Sequence, residues 1–146
     1  MILCIDPSKT RSGISIIDDI NNKIIYTTTS GGLLGNFKTI QELIEEYKPR
    51  LILKESPYMG INKKTFGILC KVHGGIEILG EMYNIPIVEY TPSAGKKVCG
   101  TSTRDKNSKK IVNAYINNYF NTSIESLDVT DSVALYLVWR DENGRK

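Results

Sequence analysis

Two short apolar runs, each closed by an acid, constrain this chain more than any other feature. Met1-Ile2-Leu3-Cys4-Ile5 is unbroken and ends at Asp6-Pro7, while Leu51-Ile52-Leu53 follows Pro49 and ends at Lys54-Glu55, with Pro57 just beyond. Continuous apolar runs bounded by proline form strands buried on both faces, and such strands lie in the middle of sheets covered by helices. Asp6 and Glu55 then stand at the mouths of two strands, and parallel neighbouring strands would bring them together. An acid ending a strongly apolar strand is costly unless it is exposed or paired.

A second pair of acids lies near the C-terminus. In Asp128-Val129-Thr130-Asp131 the i, i+3 spacing sets both carboxylates on one face of a helix, with Val133, Ala134, Leu137 and Val138 packing inward. Each acid has an ordinary alternative use, since Asp before Pro starts turns and Asp near a helix start caps it or complements its dipole. Together they point elsewhere. Converging carboxylates repel one another and lose hydration, so a fold that collects Asp6, Glu55, Asp128 and Asp131 is expected to hold divalent metal. The chemistry this suggests is metal-dependent phosphodiester cleavage.

The rest of the chain supplies a mixed sheet. Ile14 to Asp18 and Lys23 to Thr29 read as a hairpin turned by Asp19-Ile20-Asn21-Asn22. Phe37, Ile40, Leu43, Ile44 and Tyr47 recur at helical spacing until Pro49. A longer helix is expected from about Asn62 to Tyr83, striped by Phe66, Leu69, Val72, Ile76 and Leu79; its Gly67, Gly74, Gly75 and Gly80 imply breaks or close backbone approach, a dimer axis being one candidate. Ile85 to Tyr90 reads as a fifth strand, a helix follows from about Asp105 to Phe120 with Ile111, Val112, Tyr115, Ile116 and Tyr119 facing the core, and Thr130 to Trp139 ends the fold before a charged tail. The expected class is α/β: a five-stranded sheet, its first three strands antiparallel and its fourth and fifth parallel to the first, flanked by helices.

Composition bounds the setting. The 146 residues, with no internal repeat or linker, fit one domain over 1–146. Three cysteines, Cys4, Cys70 and Cys99, form no C-x-x-C pair, and no apolar run approaches the roughly 18 residues of a membrane span, so a soluble cytoplasmic protein is expected. The net charge of +3 is modest but uneven: from Thr91 to Val112 the basic residues Lys96, Lys97, Arg104, Lys106, Lys109 and Lys110 face the single acid Asp105. That local field suits phosphates and reads as a DNA-holding loop.

These residues resemble the RuvC-type Holliday junction resolvases of the RNase H-like superfamily. Ile5-Asp6-Pro7-Ser8 with Gly13 is similar to the opening I-D-P-G-x-x-x-x-G segment, with Ser8 for Gly. Lys48-Pro49 through Glu55 resembles the strand carrying the second acid, and Ile87 to Ser93 followed by Lys96, Lys97, Gly100 and Lys106 resembles the next strand and basic loop. The last two acids resemble a D-x-x-D-A helix, with Ser132 for Ala; Ser102 and Arg104 also depart from the family's loop.

The resemblance implies that Asp6, Glu55, Asp128 and Asp131 hold two Mg²⁺ ions, with Mn²⁺ able to substitute, and that four-way junctions are nicked symmetrically to leave 5′-phosphate and 3′-hydroxyl ends. It puts Lys106, with Lys109 as a further candidate, beside the scissile phosphate, and Lys96 and Lys97 on the backbone. Tyr58 is assigned either to stacking on an unpaired base or to core packing. His73 reads as structural. A homodimer matching the junction's two-fold symmetry is implied, with the glycine-bearing helix as its interface. The compact chain and altered loop fit a phage or mobile-element member. The competing readings are a broader flap or fork endonuclease and a non-catalytic junction-binding module.

Overall fold

The computed structural model describes residues 1–58, 60 and 62–144; Met59, Ile61 and the last two residues of the charged tail lie outside it. Five strands form one sheet: β1 (Ile2–Asp6), β2 (Ser12–Asp18), β3 (Lys23–Ser30), β4 (Leu51–Glu55) and β5 (Ile87–Tyr90). Their order is β3-β2-β1-β4-β5, with β1 to β3 antiparallel and β4 and β5 parallel to β1, as the sequence predicts. The two apolar runs are therefore the central pair. Ile2 to Ile5, Ile52 and Leu53 have no exposure to solvent, and each such side chain contributes about 1.5–3 kcal/mol on burial.

Side-chain alternation divides the core in two. Ile2, Cys4, Leu51 and Leu53 pack under α5 (Leu127–Glu142), with α3 (Pro92–Val98) and α4 (Ser108–Phe120) beside it. Leu3, Ile5, Ile14, Ile16 and Ile52 pack under α1 (Leu33–Tyr47) and α2 (Lys63–Met82) on the other face. Asp6 shares the α5 face with Cys4, and Glu55 shares it with Leu53; Lys54 points the opposite way.

Two expectations about the helices need correction. The basic segment is not one loop, because Pro92 at the first helical position starts α3, whose buried Gly95 lies 3.5 Å from the Ala134 side chain when given a Cβ. Helix α4 begins at Ser108 rather than Asp105, since Asp105 folds the chain into a turn: its carboxylate accepts the Asn107 N–H at 2.8 Å and its carbonyl accepts that of Ser108. On α4 only Val112 and Ile116 are fully buried, while Tyr115 and Tyr119 are over a third exposed.

The glycines of α2 do not break it. Gly80 permits close approach, as a Cβ there would stand 2.7 Å from Ile87 Cδ1, whereas Gly67 and Gly74 face open space. A tighter approach occurs at Gly13, where an added Cβ would fall 1.8 Å from the carbonyl oxygen of Asp128. Only glycine lets β2 touch the start of α5 there, and this brings the α5 acids to the end of β1. Ser132 is likewise explained: its hydroxyl donates to the Val129 carbonyl at 2.6 Å and pairs with buried Ser15 at 2.9 Å, so no polar atom is stranded.

Candidate active site

The site forms where β1 and β4 end beneath the first turn of α5. Ser126 caps this helix, its hydroxyl accepting the Val129 N–H at 3.3 Å, which leaves Asp128 free of capping duty. Asp6, Glu55, Asp128 and Asp131 thus come from three elements and converge. Asp6 is held well above the usual carboxylate range, first by burial, then by the charges of Glu55 and Asp131, with Asp128 adding to them. Glu55 is pushed up to about 7, again by burial first and then by Asp131, against the pull of Lys96 and Lys109. Asp6 therefore feels the charge of the other three predicted acids, and Glu55 feels that of Asp131.

The basic residues separate sharply. Lys109, in the first turn of α4, puts its ammonium 3.1 Å from Asp128 Oδ1 and 3.1 Å from Asp131 Oδ2. Burial disfavours that charge, yet Asp131 and then Asp128 hold the ammonium above the ordinary lysine range. Lys96, in the last turn of α3, reaches to 3.9 Å from Asp131 Oδ1. Lys106 lies exposed on the turn before α4, while Lys109, the further candidate beside it, is the one whose ammonium reaches the acids. Lys97, Arg104 and Lys110 are also exposed. Tyr58 is 71% exposed on the turn after β4, which excludes core packing.

Four carboxylates thus meet two ammonium groups, leaving two negative charges uncompensated when all are ionised. Among the described residues no three acid, histidine or cysteine side chains already enclose a single point. The Lys109 ammonium instead stands between the two α5 acids as a cation would. A hard, oxygen-rich donor set of this kind, short of positive charge, fits Mg²⁺ or Mn²⁺.

A second charged cluster was not anticipated by the sequence reading. On the opposite face of β4, Lys54 is 2% exposed and its Nζ lies 2.8 Å from Glu89 Oε2, 2.9 Å from Glu77 Oε1 and 3.0 Å from His73 Nδ1. The available signal was the same one that marked Glu55, a charged residue at the end of an apolar strand.

Comparison with known proteins agrees with this layout. A profile described as crossover junction endodeoxyribonuclease RuvC matches residues 2–139. Relatives of that description include one from Christiangramia forsetii, 30% identical over 92% of this chain and 76% of its own length. Another, from Chloroherpeton thalassium, is 33% identical over 69% of this chain and 54% of its own length. A third, from Brachyspira hyodysenteriae, is 27% identical over 97% and 94%. Among solved structures, Thermus thermophilus RuvC in complex with a Holliday junction substrate superposes with a TM-score of 0.83 at 11% identity, covering 99% of this chain and 96% of that one. The yeast mitochondrial Holliday junction resolvase gives 0.66 at 14%, covering 99% and 79%. With the profile matching almost the whole chain and relatives of the same description aligning over most of it, the protein belongs to the crossover junction endodeoxyribonuclease RuvC family.

Proposed function

We propose that this protein is a metal-dependent endodeoxyribonuclease that cuts four-way DNA junctions by paired nicks. The observation that carries the reading is the charge imbalance at the ends of β1 and β4: Glu55 and the α5 acids raise the proton affinity of buried Asp6, Asp131 raises that of Glu55, and two lysines do not neutralise the cluster. Asp6, Glu55, Asp128 and Asp131 are the residues that would hold Mg²⁺ or Mn²⁺, two ions per site. Bound there, such ions polarise the phosphoryl oxygen and lower the pKa of an attacking water.

The chain's own groups have distinct tasks. Gly13 and the Ser126 cap fix the Asp128 and Asp131 carboxylates against the end of β1. Lys109 and Lys96 offset negative charge at the acids and at an incoming phosphate, the effect that matters most in a site shielded from water. Lys97, Arg104, Lys106 and Lys110 hold the DNA backbone from exposed positions, and Tyr58 offers a face on which an unpaired base can stack. The open stripe of α2 at Gly67, Gly74, Ile78 and Met82 is the surface through which a second copy would set two sites on the two-fold-related strands.

The test is cleavage of a four-way junction, a flap and a linear duplex, with Mg²⁺ or with EDTA, by the protein and its Asp131→Asn variant. Junction-selective nicking that needs both the metal and Asp131 is expected. Cutting that survives EDTA or the substitution overturns the metal centre, and equal cutting of the flap moves the substrate to branched DNA in general.

A further inference from the structure

The buried cluster around Lys54 lies outside the candidate site but is joined to it by one peptide bond. A lysine at this depth is expensive, and replacing buried ion pairs by apolar side chains is often neutral or stabilising, so stability alone does not account for it. Its arrangement is complete: an ammonium carries three donors, and Glu77, Glu89 and His73 supply one acceptor each, all within 3.0 Å. Because Lys54 can only donate, His73 accepts through Nδ1 and carries its ring proton on Nε2. Burial, and then the Lys54 charge, push that imidazole down to about 4, so it stays a neutral acceptor at physiological pH.

The three acceptors come from two different elements. His73 and Glu77 are one turn apart on α2, and Glu89 is the β5 residue paired directly with Lys54 in the parallel register. One ammonium thus clamps β4, β5 and α2 together at the residue before Glu55. The next pair in that register is Glu55 with Tyr90, and the Ser56 N–H continues it by donating to the Tyr90 carbonyl at 2.8 Å. In a sheet whose side chains alternate faces, a one-residue slip at this point would turn Glu55 away from Asp6 and Asp131. Apolar neighbours such as Ile52 and Ile87 cannot forbid a slip by geometry, whereas an ammonium with three fixed acceptors can.

We propose that Lys54, held by His73, Glu77 and Glu89, is a positioning residue that fixes the end of β4 and so aims Glu55 into the metal site, tying α2 to that site. This rests on the proposed role of Glu55 as a metal ligand, and the experiment separates the two. Mn²⁺ affinity of the full chain is titrated for the wild type, Lys54→Met, Glu89→Gln, Glu55→Gln and the double variant Lys54→Met/Glu55→Gln, with thermal melts run in parallel. Residues supporting a ligand typically change metal affinity about 10- to 100-fold. Lys54→Met is expected to melt cooperatively and to weaken Mn²⁺ by about 10-fold. In the Glu55→Gln background it should weaken Mn²⁺ no further.

Wild-type affinity in folded Lys54→Met, or a full additional loss in the double variant, overturns the positioning role. If Lys54→Met fails to fold, Glu89→Gln decides, because its side chain is 44% exposed and the substitution replaces the charge-assisted bond to Lys54 by a weaker neutral one. A smaller loss confined to the Glu55-containing background supports the proposal, and unchanged affinity overturns it. Wild-type affinity in Glu55→Gln itself overturns the assignment of Glu55, and with it this inference.

Discussion

Lys54 and Glu55 are consecutive residues of one strand, and their surroundings differ in a way that explains the molecule. On the α2 face, Lys54 meets two carboxylates that remain about half exposed and an imidazole that is neutral, so each donor of the ammonium is matched and water shares the remaining charge. On the α5 face, Glu55 meets Asp6 and Asp131, and Asp128 adds to the charge on Asp6, with only Lys96 and Lys109 to oppose them. The first face keeps a single surplus negative charge, spread over half-exposed carboxylates that water solvates, and in that sense it is balanced and serves geometry. The second is unbalanced and invites a cation, which is the physical signature separating a site from a brace.

The sharpest way to break this contrast is to neutralise one acid of the unbalanced face. Asp131→Asn should reduce junction nicking at saturating Mg²⁺ by at least about 10³-fold, since it removes a buried carboxylate shared by Lys96, Lys109 and the proposed metal centre. Lys109→Met should cost less, about 10²-fold in single-turnover cleavage, because Lys96 still reaches Asp131. Both assays use the same labelled junction, so their ratio tests whether the acids outrank the lysines.

A stability measurement sharpens the comparison further. In the metal-free protein Glu55 keeps its proton up to about pH 7, whereas an unfolded glutamate releases it near about 4.3. Between those values the native state binds more protons than the unfolded one, so stability falls as pH rises through the window and levels off above it. Denaturant melts in EDTA should therefore find Glu55→Gln more stable than wild type at pH 8, by about 1–3 kcal/mol, and nearly equal at pH 4. A wild type that gains stability between pH 5 and 7 relative to Glu55→Gln contradicts the crowding of the acids. The smallest effect belongs to the balanced face: Glu77→Gln, on a half-exposed side chain, should change unfolding free energy by no more than about 1 kcal/mol in the same melts.

The central sheet was legible because apolar runs closed by Asp6 and Glu55 admit little besides buried strands, and the i, i+3 pair Asp128 and Asp131 could only share one helical face. The profile match and the sheet order agree with that reading. Where α4 begins was not legible, because Asp105 can serve equally as a helix start or as the turn acceptor it proves to be. Of the two lysines named for the scissile phosphate, Lys109 on the first turn of α4 is the one that reaches the acids. Helix α3 was hidden in a segment read for its charge, and its formation separates Lys96, which faces Asp131, from exposed Lys97. His73 read as structural, and its partner Lys54 could be found only once β4 is packed against α2 in three dimensions.

The central claim is that the acids of β1, β4 and α5 form a divalent-cation centre, and calorimetric titration of Mn²⁺ into the metal-free protein tests it most directly. Binding near pH 7 should be saturable, should release protons because Glu55 is then partly protonated, and should therefore give a heat that depends on the buffer's ionisation enthalpy. The same titration of Asp6→Asn should show that binding lost or greatly weakened. Undiminished binding by Asp6→Asn, or no saturable binding by the wild type, would contradict the account.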